Sequence, residues 1–203
     1  MFHGARIALT ILLAAGAMTL PACSISTAPP DPPTDGVNSS FTREGVREIA
    51  RSGEATIDLR SGSLTAGQLG ALDGKTLWDV NLPMSDPVSL TVLGPDGTLA
   101  AETGTIRVLA DPDGTVRVVS YFLAFSDLDA LTDRVREDAA LVGISHTDLE
   151  SLLHQLPRQR AFQTVLNDGN ALGFQVSIAV TVDPERDGQV LQYTITPASQ
   201  VAN

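Results

Sequence analysis

Few residues of this chain could do chemistry, and most of them lie close together. Ser145 and His146 are adjacent, Glu150 and His154 follow, and Cys23 is the only cysteine. A serine beside a histidine is the start of a nucleophile–base pair, and two histidines flanking a glutamate are the start of a zinc site. Neither set is completed. Gly143-Ile144-Ser145-His146 lacks the second glycine of a G-x-S-x-G elbow and the strand that must precede it. His146 and His154 fall about 80° apart around a helical axis, and no HExxH pattern supports them. Asp111-Pro112-Asp113-Gly114 begins like a calcium loop, but the third oxygen ligand before the glycine and the glutamate at the twelfth position are missing. Pro-Asp-Gly is then turn chemistry, as it is at Gly94 to Gly97, and Asp183 to Asp187 reads the same way. Asp127, Asp129, Asp133, Glu137 and Asp138 are expected on the solvent side of a helix, partly offset by Arg134 and Arg136. No catalytic residue, metal site or cofactor is assigned, and Trp78 is expected in the core.

The elements that would position these residues are punctuated clearly in places. Thr42 is expected to cap a first helix that Gly53 stops, with Phe41 stapled onto Val46 and an inward face of Val46, Ile49 and Ala50. Residues 54–84 are ambiguous. Glu54 to Leu59 alternates weakly, and Thr65-x-x-Gln68 could cap a single turn. Val88, Leu90 and Val92 alternate as a strand, and a second strand is expected from the Gly94–Gly97 turn through Ile106 to Leu109. Val116 to Phe125 is apolar on both faces, which predicts a central strand. Ser126-x-x-Asp129 opens a helix striped by Leu128, Leu131, Val135 and Leu141/Val142 and ended by Gly143. Thr147-x-x-Glu150 opens another, with Leu149, Leu152, Leu153 and Leu156 inward until Pro157. Leu172 to Val182 and Leu191 to Ile195 alternate as a hairpin. A sheet with one apolar face needs a cover, so the expectation is an α+β fold: an antiparallel sheet with two or three helices packed on one face.

The N-terminus supplies the strongest signal. Met1 to Arg6 carries one positive charge, and Ile7 to Leu20 is a 14-residue run that is apolar apart from Thr10 and Thr19. That length suits a signal-peptide core and falls short of the ~20 residues of a spanning helix. Leu20-Pro21-Ala22-Cys23 follows. An ordinary secretory site wants small residues three and one before the cut, and Leu20 is too large for it. The run resembles the lipobox of bacterial lipoproteins: a large aliphatic residue, a variable position, a small residue and the modified cysteine. The resemblance covers residues 1–23 and implies a signal peptide over 1–22, a diacylglyceryl group on the Cys23 thiol, cleavage after Ala22 and acylation, such as palmitate, of the new amino terminus. Each buried CH₂ is worth ~0.8 kcal/mol, so two or three chains anchor stably where one does not.

Residues 23–40 then read as a tether. Pro29, Pro30, Pro32 and Pro33 stand among Ser, Thr, Asp and Gly, a composition that favours extended polyproline II. Seventeen residues, Ser24 to Ser40, at ~3.1 Å each span up to roughly 50 Å. A single α+β domain over 41–203 is expected behind it. From Cys23 onward the chain carries net charge -12, against -11 for the whole, because Arg6 is the one charged side chain ahead of it. Such a surface is repelled by nucleic-acid phosphate and anionic lipid headgroups, so no nucleic-acid partner is expected and membrane contact falls to the lipid. The reading is a cell-envelope lipoprotein on the outer face of the plasma membrane, or on the outer membrane of a two-membrane host. It would bind an envelope protein or small ligand and would not be an enzyme. The alternatives are a lipid or glycolipid carrier with an apolar cavity, and a small serine hydrolase using Ser145.

Overall fold

The computed structural model describes residues 38–70, 76–83, 86–156, 162–183 and 188–201. The chain enters as a clasp on the first strand. Thr42 Oγ1 accepts the Gly45 N–H at 3.1 Å and opens helix α1 (Arg43–Ser52), which Gly53 closes in the left-handed region at φ 72°. Ile49 is buried and Val46 packs against the core, whereas Ala50 is exposed. Strand β1 (Glu54–Asp58) follows. Ser39 donates its N–H to the Thr56 carbonyl and accepts the Thr56 N–H on its hydroxyl, both at 2.8 Å. Asn38 Oδ1 accepts the Asp58 N–H at 2.7 Å. The residues that end the expected tether therefore satisfy the free edge of β1.

The ambiguous stretch resolves into two short elements. Thr65 and Gln68 cap one 3₁₀ turn reciprocally: the Thr65 N–H donates to Gln68 Oε1 and the Gln68 N–H to Thr65 Oγ1. Strand β2 (Leu77–Asn81) then buries Trp78 and Val80 on one side.

The single sheet of the sequence reading divides into two. Strands β1, β3 (Val88–Leu93) and β4 (Thr98–Thr103) form a three-stranded sheet in which β1 runs parallel to β3. The expected strand from the Gly94–Gly97 turn to Leu109 breaks at Gly104, where β4 gives way to β5 (Thr105–Ala110) and the chain changes sheets. Thr103 fixes the corner. Its buried hydroxyl donates to the Phe122 carbonyl at 2.8 Å and accepts the Thr105 N–H at 3.1 Å.

The larger sheet is antiparallel throughout, in the order β2-β5-β6-β9-β8-β7. Strand β6 (Val116–Phe125) is interior, as its two-faced apolarity predicts. Strands β8 (Gln175–Asp183) and β9 (Gly188–Thr196) are the expected hairpin. Strand β7 (Phe162–Gly169), at the edge, is absent from the sequence reading. In β8 and β9, buried residues alternate with half-exposed ones, so one face is covered and the other is open to solvent. Helix α2 (Leu128–Val142) lies over β6 and β9 on the covered face, and α3 (His146–Gln155) lies against β7. The fold is α+β, with helices on one face of the antiparallel sheet. A last turn, α4 (Ala198–Val201), ends the described chain.

Both sheets share one core. The Gly94–Gly97 turn rests on the β7–β8 connection, with the Asp96 N–H donating to the Leu172 carbonyl at 3.3 Å. A Cβ at Gly94 would stand 2.2 Å from that carbonyl and 2.5 Å from the Phe174 ring, so only glycine lets the turn approach.

Candidate functional site

Helix α2 carries an acid on its apolar stripe. Asp127 caps the helix one residue later than expected, accepting the Ala130 N–H at 2.7 Å. Leu131, Val135 and Val142 then face the sheet, and helical spacing puts Asp138 in line with them. Asp138 is 4% exposed, which corrects its expected place on the solvent side. Arg134, one turn earlier, donates Nε to Asp138 Oδ2 at 2.6 Å. The Tyr193 hydroxyl from β9 donates to the same oxygen. Tyr121, directly across from Tyr193 in the β6–β9 pairing, stacks on it with ring centroids 4.5 Å apart and planes within 4°.

Burial pushes both phenols well above the ordinary tyrosine range, and the Asp138 carboxylate adds to the effect. Burial works against the Arg134 charge, but Asp138 beside it more than restores it, and its pKa is raised. The cluster thus holds neutral phenols and a guanidinium–carboxylate pair. It joins α2 to the centre of the sheet, on the covered face of β6 and β9. Tyr121 Oη has no hydrogen-bond partner among the described residues.

Helix α3 holds the residues that the sequence singled out. Ser145, with extended backbone, is its N-cap, two residues ahead of the expected Thr147. Ser145 Oγ accepts the Asp148 N–H at 3.2 Å and donates to Asp148 Oδ2 at 2.6 Å. That hydroxyl is occupied in capping the start of α3 rather than poised against a histidine. His146 and His154 sit in the first and last turns of α3, about 12 Å apart along the axis. Among the described residues, no three His, Cys, Asp or Glu side chains gather as a metal site. Asp113 Oδ1 accepts the Thr115 N–H at 2.9 Å and Asp111 pairs with Arg117 at 3.5 Å, so both serve the β5–β6 turn. Trp78 is in the core. Leu20, Pro21, Ala22 and Cys23 lie outside the described residues, as do Pro157 and most of the Asp183–Asp187 turn.

A groove of about 250 Å³ opens between α3 and β7. Asp148, Ser151, Leu152 and Gln155 form the helical wall, and Thr164, Val165, Leu166 and Asn167 the strand wall. Side chains on one face of a strand alternate, so four consecutive lining residues mean that the groove runs along the backbone edge of β7. Strand β7 pairs with β8 on one side, and no strand of the described residues pairs with the other.

No family model, curated protein or solved structure matches this chain. Among the described residues, no helix is long and apolar enough to cross a membrane.

Proposed function

We propose that the protein is a lipid-anchored, extracytoplasmic lipoprotein whose folded domain is a binding module of the cell envelope. The observation that carries this reading is Leu20-Pro21-Ala22-Cys23 behind a 14-residue apolar core, with the only thiol of the chain at the lipid position. The proline-rich run after it supports a spacer between membrane and domain. The net charge of -12 from Cys23 onward is repelled by anionic headgroups, which supports the lipid as the anchor.

Binding rather than catalysis is supported by how the reactive side chains are used. Ser145 caps α3, Asp138 pairs with Arg134, and Asp113 and Asp111 shape a turn. The groove beside β7 is a surface feature with polar walls, suited to a partner at the domain's edge. Replacing Cys23 with Ala and fractionating cells tests the anchor. The wild-type chain is expected with the membranes, and the Cys23→Ala chain in the soluble fraction or as an unprocessed precursor. Unchanged processing and unchanged fractionation of Cys23→Ala would refute the reading.

A further inference from the structure

We infer that the β7 edge and the α3 groove take an extended peptide segment carrying a basic residue, added to the six-stranded sheet as a seventh strand. The inference rests on reading the domain as a binding module, not on the anchor.

Three observations converge on this occupant. First, β7 ends the larger sheet, and an edge strand presents every second N–H and C=O outward, ready to pair with another extended chain. Second, the groove is lined by Thr164, Val165, Leu166 and Asn167 in succession, residues whose side chains alternate between the two faces, so it follows the edge of the strand. Strand addition is the recognition mode that uses such a surface: main-chain hydrogen bonds hold the peptide, and the neighbouring wall selects its alternate side chains. Third, that wall is polar. Asp148, Ser151 and Gln155 stand at i, i+3 and i+7 on α3 and so share one face. Gln155 Nε2 donates to the Ser151 carbonyl, which holds the amide against its own helix.

Charge selects the partner. Among the described residues Asp148 is the one ionisable side chain lining the groove, and the chain from Cys23 onward is strongly acidic. A lysine or arginine projecting toward α3 is complementary to both, and the net charge speeds its encounter. A second copy of the chain fits less well. Pairing two β7 edges would juxtapose two acidic domains and leave each Asp148 without a cation.

The test pans a displayed random peptide library against the protein purified from cells expressing the full chain, then measures amide hydrogen exchange with the selected peptide. Enriched peptides are expected to be extended and to carry Lys or Arg. They should slow exchange along residues 163–167 and lose about tenfold or more in affinity when the basic residue becomes Glu. N-methylation of alternate peptide bonds should abolish binding. Asp148→Lys should reverse the charge that panning selects. Because Asp148 also bonds the Ser145 cap, Ser151→Arg, which fills the groove from mid-helix, is the second variant and should block binding with the helical circular dichroism unchanged. The proposal is overturned if no peptide is enriched, if protection maps away from β7, or if N-methylated peptides bind equally. Protection of β7 that rises with protein concentration without peptide also overturns it, since that marks pairing of two copies. None of these outcomes depends on whether Cys23 carries lipid.

Discussion

The Tyr193 hydroxyl, at the middle of β9, donates to the Asp138 carboxylate on α2, so a hydrogen bond to a buried charge joins the helix to the sheet. Arg134 donates to the same oxygen from the turn before, and Tyr121 packs flat against Tyr193 from the next strand. A hydrogen bond to a charged group contributes more than a neutral one, because the carboxylate has lost its water. Tyr193→Phe keeps the stacked ring and removes only the hydroxyl. It should lower unfolding free energy by about 1.5–3 kcal/mol, read as a shift of the urea midpoint at unchanged slope. Asp138→Asn, which keeps an acceptor, should cost less than Asp138→Ala. Equal stability of Tyr193→Phe and wild type would show that the bond contributes nothing.

The same cluster fixes how stability responds to alkali. Tyr121 and Tyr193 are the only tyrosines of the chain. Both are held well above the ordinary range by burial and by Asp138. A folded-state pKa above the unfolded value means that the folded chain keeps protons the unfolded chain gives up. Stability is therefore full below about pH 10 and falls as pH rises beyond it. Phenolate absorbance should stay flat past that pH and then rise together with loss of helical circular dichroism. A phenolate signal that appears while the fold is intact would contradict the burial of one ring or both.

At the end of β1 a second ion pair governs the acid side. Arg60 grips Asp58 through two hydrogen bonds at 2.8 and 3.0 Å, with side chains only 9% and 7% exposed. The Arg60 guanidinium holds the Asp58 carboxyl below its usual range, although burial opposes it. A depressed folded pKa gives stability that is present above the unfolded pKa and lost as pH falls through the folded one. Arg60→Ala removes the cation from a buried carboxylate and leaves it the backbone N–H of residue 60, 3.0 Å from Asp58 Oδ1. It should cost about 3–5 kcal/mol at neutral pH and move the acid-unfolding midpoint upward. A midpoint that stays put would mean that Asp58 gains nothing from Arg60.

Two glycines make a controlled comparison. Gly94→Ala would force a Cβ into the Leu172 carbonyl and the Phe174 ring where the two sheets meet. It should destabilise by at least the ~1–3 kcal/mol typical of overpacking. Gly114 has a positive φ of 87° and open space around its Cβ position, so Gly114→Ala carries backbone strain alone, about 1 kcal/mol. Thermal unfolding of the pair tests the close approach. Equal losses would show that the sheets can move apart at no cost.

Much of this fold was legible from local chemistry. The caps at Thr42 and Gly53, the reciprocal Thr65–Gln68 turn, the Gly143 stop and the alternation of β8 and β9 are each settled by neighbours in sequence. The helix starts at Asp127 and Ser145 and the exposure of Ala50 were misjudged locally, and the larger failures depended on distant partners. The break at Gly104 follows from where Phe122 offers its carbonyl to Thr103, which no window around 98–109 contains. Strand β7 went unread, and its pairing with β8 is interrupted by an irregularity between Leu166 and Gly169. The Asp138 cluster did leave a signal: an acid on the Leu131–Val135–Val142 stripe, with an arginine one turn before it. It was outweighed by the four other acids of α2 and its flank, because the phenol that justifies burying Asp138 lies 55 residues away. The groove had no sequence signature, since it exists only once β7 is an edge.

The anchor is the claim on which the function rests, and intact mass spectrometry of the protein extracted from membranes tests it most directly. The account predicts a chain that begins at Cys23, lacks residues 1–22, and carries a diacylglyceryl group on the Cys23 sulfur. A chain that retains Met1, or one that starts at another residue with an unmodified Cys23 thiol, would contradict it.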